Sequence, residues 1–409
     1  MAAGSASEVV GMHGRWGGVR GRWDRADAVG AAAVLVGFGL VWLATRAGPG
    51  VTNDSLAYLS TAQHIAHHGH LTAFDDQRLS IFPPGYSALV ALLLRLGVHT
   101  QQTVRCIGLA TTVIAVGATR RLGREAGLGR MAAAVASLFV ALNTGLVVVY
   151  SMAWSEPVFV AATLVGLVAL TRLHRIDHWH LPTVAVLVLS VGVAGLTRYT
   201  GLVLVGVTGG VLVVGRWPKG RVRYLLAGGA VAAASAWGVV AVVLINLMGG
   251  QALMGARGGH TYSFGAVVTQ VVSTLGGYLL GVHAGVGADQ LVGSLVLVLF
   301  LVGLGIGALR LWRQPRATWA SPALPATAFV VAYGAFLGLS EMTTMLNPVD
   351  SRLMAPMFAP LVVLGALMVA PNRAWIADLR AAWAAPRPRR VPTIVGHPAF
   401  GAIAVVILV

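Results

Sequence analysis

The chain has 409 residues, of which 57% are hydrophobic and only 10% charged, with a mean hydropathy of +0.79. A soluble domain carries roughly 25% charged residues, so this composition excludes a soluble enzyme and implies an integral membrane protein whose apolar blocks cross a bilayer. The formal charge of +16 flanks the apolar blocks instead of forming a stripe interleaved with aromatics, which points to topology and away from nucleic acid; the single cysteine, Cys106, excludes an internal disulfide and any CxxC motif.

Residues 1–26, rich in Gly, Arg and Trp and without an apolar period, read as a basic cytoplasmic arm lacking fixed structure. Residues 27–46 form the first span, and with Arg46-Ala47-Gly48-Pro49 behind it instead of a small-residue cleavage site, it is expected to stay as a signal anchor. Residues 51–87 are a polar island holding three of the thirteen acids, four of the twelve histidines and the Pro83-Pro84-Gly85 breaker. Within it, Asn53-Asp54-Ser55 is a helix N-cap sequence for a stretch reaching His68, with Leu59, Ala62 and Ile65 free to face the bilayer surface. Pro84 to Gly97 would be about 21 Å long as a helix, short of the roughly 30 Å core, and is read as interfacial or re-entrant.

Nine further spans follow at 101–118, 131–149, 157–170, 181–196, 200–214, 224–247, 291–311, 322–339 and 353–370. The stretch 248–290 is read as a Gly-rich outer loop holding His260, Tyr262 and His283. A basic segment at 372–393 precedes an apolar run at 394–409 that is long enough for an eleventh span. Alternate loops then receive unequal charge: one side takes 22 of the 29 basic residues and is cytoplasmic by the positive-inside rule. The amino terminus lies on that side, and the polar island faces out. No internal repeat or heptad run is evident.

Four outward charged residues stand out because they are few. Asp54 lies one helical turn from Tyr58 on one face, and it can either cap its helix or act chemically. Glu156, in Tyr150-Ser151-Met152-Ala153-Trp154-Ser155-Glu156-Pro157, has no basic neighbour in its own loop, so it either starts a helix at the favourable end of the dipole or finds a partner elsewhere in the fold. Arg198 sits in an outer turn without an adjacent acid, and Arg352 opens the last of the ten spans with Asp350 as a local partner. Two guanidinium groups at headgroup level suit a lipid phosphate, and equally can snorkel to ordinary headgroups. His64, His67, His68 and His70 have the spacing of a helical metal clamp, but no third ligand follows at a diagnostic spacing, and no metal is assigned.

The order NDSLAY, FPPGYSALVALLLRLG, SEPVF, LTRYTGL and DSRLMAPMFAPL over about residues 27–371 resembles the membrane glycosyltransferases of the GT-C fold, in particular the bacterial branch related to protein mannosyltransferases and lipid A aminoarabinose transferases. The resemblance implies an all-α catalytic domain of 10–11 transmembrane helices with interfacial helices in the first extracytoplasmic loop. It implies a polyprenyl-phosphate sugar donor, a cell-envelope acceptor, a plasma-membrane location and an extracytoplasmic active site. Asp54 matches the family's catalytic acid and Glu156 its second acid, while Arg198 and Arg352 match positions suited to the lipid phosphate. Tyr58, Arg78 and Tyr86 are expected to complete the substrate site. Two departures are visible: Asn53 stands where the family often has a second carboxylate, leaving only the distant Asp75-Asp76 pair, and Leu353 stands where an aromatic is more usual. Metal dependence is therefore not carried over, and no cofactor is expected. The rival classes are a lipid-linked-sugar flippase, which would need charged or broken segments in mid-membrane, and a non-catalytic scaffold, which would leave the four charged residues without reason to converge.

Overall fold

The computed structural model describes residues 24–74, 78–176, 178–216, 222–254, 262–280, 286–313, 320–344 and 348–369. The arm up to residue 23, Asp75-Asp76, His260, His283, the basic segment 372–393 and the run 394–409 lie outside them. The named elements among the described residues are all helices: α1 (Arg25–Ala44), α2 (Asn53–His68), α3 (Gly85–Arg95), α4 (Thr100–Ala126), α5 (Arg130–Ala141), α6 (Thr144–Ser151), α7 (Glu156–Arg175), α8 (Leu181–Thr197), α9 (Gly201–Arg216), α10 (Val222–Ser235), α11 (Trp237–Met248), α12 (Phe264–Leu280), α13 (Val286–Arg313), α14 (Leu324–Thr343) and α15 (Ser351–Val369).

Every stretch expected to span is helical, although not every one is a single straight span. Helices α1, α4, α7, α13, α14 and α15 are long and apolar enough to cross a membrane, and the pairs α5–α6 and α10–α11 qualify as spans broken by 59° and 46°. Asn143 explains the first break. It leaves the helix, accepts from Leu146 N–H with its side chain and donates at 2.5 Å to the Tyr278 carbonyl, so both ends of the interruption are hydrogen-bonded within the fold. Helices α8 and α9 have 17 and 16 residues, below the roughly 20 needed for a perpendicular crossing.

Two expectations need correction. The 248–290 stretch contains α12, whose Val267, Val272, Leu275 and Tyr278 are buried on one helical face. This helix packs along α13 and touches the start of α15, with Thr274 donating to the Val349 carbonyl at 2.9 Å. The island's first helix turns Ala62 inward instead of laying it on the bilayer surface. Ala62 is fully buried, and Leu59 and Ile65 pack with it, Tyr58, Tyr86 and Val90 into a small core between α2 and α3. Thr52, not Asp54, caps α2, and the Ser55 hydroxyl accepts from the Thr52 N–H at 3.0 Å.

Close backbone approach fixes how this collar meets the bundle. A Cβ on Gly85 would lie 2.5 Å from the Leu196 carbonyl oxygen, so α3 enters against the end of α8 only because residue 85 is glycine. The same small-residue logic joins α8 and α11, where a Cβ on Gly238 would meet the Gly192 carbonyl. Gly85→Ala is expected to separate α3 from α8 and lower the thermal unfolding midpoint by about 5 °C. An unchanged midpoint in a detergent-solubilised variant would show that the approach is looser than described.

Candidate active site

The four charged residues singled out in the sequence meet at one point. Glu156 opens α7 immediately before Pro157, with its N–H groups at the positive end of the helix dipole. Arg198 ends α8, and Arg352 lies in the first turn of α15. Asp54 lies in the first turn of α2. The Glu156 carboxylate is 2% exposed, Arg352 12%, Arg198 16% and Asp54 24%, so the acids and bases are largely withdrawn from solvent and Asp54 is the most open of them.

Their pairing is specific. Glu156 Oε1 forms a close ion pair with Arg198 Nη1 and a second, at 2.9 Å, with Arg352 Nε. The second lacks the alignment of a hydrogen bond, as both atoms are without a hydrogen-bond partner, and is an ion pair only. Arg352 Nη1 donates at 2.5 Å to Asp54 Oδ2. The local pairing of Arg352 with Asp350 anticipated from the sequence is replaced by these longer-range partners, and Asp350 instead accepts from the Leu353 N–H and caps α15.

A polar layer supports the charges. The Ser155 hydroxyl, fully buried, is directed at Glu156 Oε2, accepts from Arg198 Nη1 at 3.4 Å and shares a 3.0 Å hydrogen bond with the Tyr58 hydroxyl. Burial, reinforced by the Glu156 charge, pushes the Tyr58 phenol above its ordinary range, so it stays a neutral hydroxyl. For Arg198, burial is the largest single influence and works against the charge, but the Glu156 carboxylate together with the Tyr58 and Tyr333 oxygens outweighs it and holds the guanidinium more firmly protonated. Trp154 lies under Arg352, with the guanidinium carbon 5.1 Å from the ring centroid, and its indole N–H donates to Thr52 Oγ1 at 2.8 Å. A short parallel bridge between Gly50 and Met152, with Ala153 N–H donating to the Gly50 carbonyl, aligns the loop before α2 with the loop before α7.

The remaining sequence candidates are not at this centre. Tyr86 is 1% exposed and stands behind Tyr58, edge-on at 5.3 Å between ring centroids. Arg78 donates at 3.0 Å to the Ile245 carbonyl near the end of α11. Among the histidines, His64 bonds Thr72, and among the described residues no three His, Cys, Asp or Glu side chains gather as a metal site. Sequence reasoning gave no role to Trp154, Ser155 or Thr52, although the first two lie beside Glu156 in the loop already quoted.

No family model and no curated protein sequence matches the chain. Solved structures do. The crystal structure of ArnT from Cupriavidus metallidurans in the apo state superposes with a TM-score of 0.57 at 17% identity, covering 88% of this chain and 63% of that one. The same protein bound to undecaprenyl phosphate gives 0.51 at 18% identity, over 86% and 62%. The Archaeoglobus fulgidus oligosaccharyltransferase in complex with Zn and sulfate gives 0.52 at 14% identity, over 93% and 52%. These neighbours are GT-C membrane glycosyltransferases, and the chain has their fold while spanning less than two thirds of their length.

Glu156→Gln leaves both arginines without their shared counter-charge in a largely buried site. The expected loss of stability is roughly 3 kcal/mol, read as a lowered midpoint in thermal or denaturant unfolding; a variant as stable as the parent would show that the pair is screened by solvent.

Proposed function

We propose that the protein transfers a sugar from a polyprenyl-phosphate donor to an acceptor hydroxyl at the extracytoplasmic face of the plasma membrane. The observation that carries this reading is the convergence of Arg198 and Arg352, from two distant helices, on one buried carboxylate, with Asp54 held against the second arginine. Such a pair offers in-plane N–H donors to a phosphate. The fold shared with ArnT, one crystal structure of which holds undecaprenyl phosphate, supports the donor class. The excess of basic residues on the opposite side of the predicted topology supports the orientation.

In this reading the donor phosphate takes Arg352 Nη1 from Asp54 and is held by both guanidinium groups. The acceptor oxygen attacks the anomeric carbon as the carbon–oxygen bond to phosphate breaks. The bonding pair leaves with the phosphate oxygen, and the acceptor proton passes to the released Asp54 carboxylate. A phosphodiester with one negative charge becomes a monoester with more, so both arginines stabilise the transition state better than the ground state. One displacement inverts the anomeric centre. No step is assigned to a metal or cofactor, and Glu156 acts by orienting the arginines, not by touching the sugar.

A transporter of lipid-linked sugars is the competing class. Two arginines that such a transporter would draw on are engaged otherwise: Arg95 donates to the Ile65 and Ala66 carbonyls at the end of α2, and Arg105 lies over Trp42. Asp54→Asn in nanodiscs separates the classes. It is expected to reduce sugar transfer from a polyprenyl-phosphate donor about 10²- to 10⁴-fold, the size of general-base help, while donor binding persists. Near-parental transfer would remove Asp54 as the base, and translocation of the donor without transfer would make the protein a transporter.

A further inference from the structure

We propose that Trp154 is a positioning residue for Arg352 and that Thr52 is its anchor, so that the phosphate-binding guanidinium keeps its orientation after Asp54 has let go of it. The inference rests on the reading of Arg352 as a phosphate ligand. Three contacts hold Arg352: Asp54 at Nη1, Glu156 at Nε, and the Trp154 ring 5.1 Å beneath the guanidinium carbon. An incoming anion competes directly with the first, because both use the same donor. It does not compete with the third. A ring against the guanidinium face leaves the N–H groups, which lie in the guanidinium plane, free for oxygen acceptors.

The indole is itself fixed, which distinguishes it from an incidental neighbour. Its N–H donates to Thr52 Oγ1 at 2.8 Å, and its backbone N–H donates to the Met152 carbonyl at 2.9 Å, next to the Gly50–Met152 bridge. Thr52 is also the cap of α2, two residues before Asp54. Arg352, Trp154, Thr52 and Asp54 thus form a chain in which a neutral side chain sets the spacing between phosphate ligand and base. A long arginine side chain otherwise loses considerable rotamer entropy on being held, and a face contact made in advance removes part of that cost from the binding step.

The test measures binding of a polyprenyl phosphate to the whole protein in nanodiscs, with thermal unfolding recorded for every variant. Trp154→Leu is expected to weaken binding about tenfold, in the range of a desolvated cation–π contact. Trp154→Phe keeps the ring and loses the N–H, and Thr52→Val loses the acceptor together with the hydroxyl's capping contacts to Ser55, whose cost the unfolding record reads separately. Each is expected to weaken binding about threefold, as for one hydrogen bond, and the double variant no further. In an Arg352→Gln background, Trp154→Leu is expected to have no additional effect.

Parental affinity for Trp154→Leu, or a loss of equal size with and without Arg352, would overturn the positioning role; the second result would mean that Trp154 only stabilises the fold. If Arg352→Gln itself binds the lipid phosphate as well as the parent, the functional reading fails and the inference fails with it. Weakened binding in Arg352→Gln beside parental binding in Trp154→Leu would leave the functional reading standing and remove this inference alone.

Discussion

A single buried carboxylate organises the site. Glu156 is almost wholly withdrawn from solvent and is shared by Arg198 and Arg352. An ionised carboxylate in such a position is costly unless it is paired, and here the pairing draws the end of α8 and the start of α15 onto the start of α7. The requirement is mutual, because neither guanidinium could remain buried without the acid. One negative charge between two positive ones leaves a surplus at the arginines, and Asp54 satisfies it through Arg352. Under the proposed function a bound phosphate would take over that role, and ligand binding would be an exchange of anions and not the filling of an empty charge.

The contrast between what was legible in the sequence and what was not follows from how each signal is encoded. Apolar runs announce helices whatever the tertiary structure, so all ten predicted spans are helical. Breaks within runs are a tertiary matter: Leu142 and Asn143 interrupt α5–α6 because Asn143 finds the Tyr278 carbonyl, 135 residues away. Helix α12 is masked in the sequence by the glycines around it, although Val267, Val271, Val272, Leu275 and Tyr278 carry a helical period. Ala62 reads as a surface position in the sequence because periodicity identifies an apolar face without saying whether lipid or α3 covers it.

At the site, the charged residues were legible because charge is scarce in an apolar chain and each outward acid or arginine demands a partner. Their support was not. Ser155 and Trp154 are ordinary loop residues in the sequence, and they acquire roles only through Tyr58 and Thr52, about a hundred residues earlier. Arg78 shows the converse. It lies in the polar island like Asp54, but its guanidinium satisfies the Ile245 carbonyl near the end of α11, a need that a charge count does not register.

The polar island is better described as a fastened part of the site than as a lid. Tyr58 is tied to Ser155, Ser87 donates to the Tyr58 carbonyl, Tyr199 donates to the Ser80 carbonyl at 2.6 Å, and Arg95 closes the end of α2. Phe82 and Tyr86 pack on Tyr58 at 4.9 and 5.3 Å between centroids. With α2 held along its length, the Asp54 backbone has little freedom to retreat when an anion arrives. The proposed exchange at Arg352 would then proceed by rotation of two side chains about fixed helices. In the proposed reaction, Asp54 released in this way would stay within reach of the arginine that held it, as a single displacement requires.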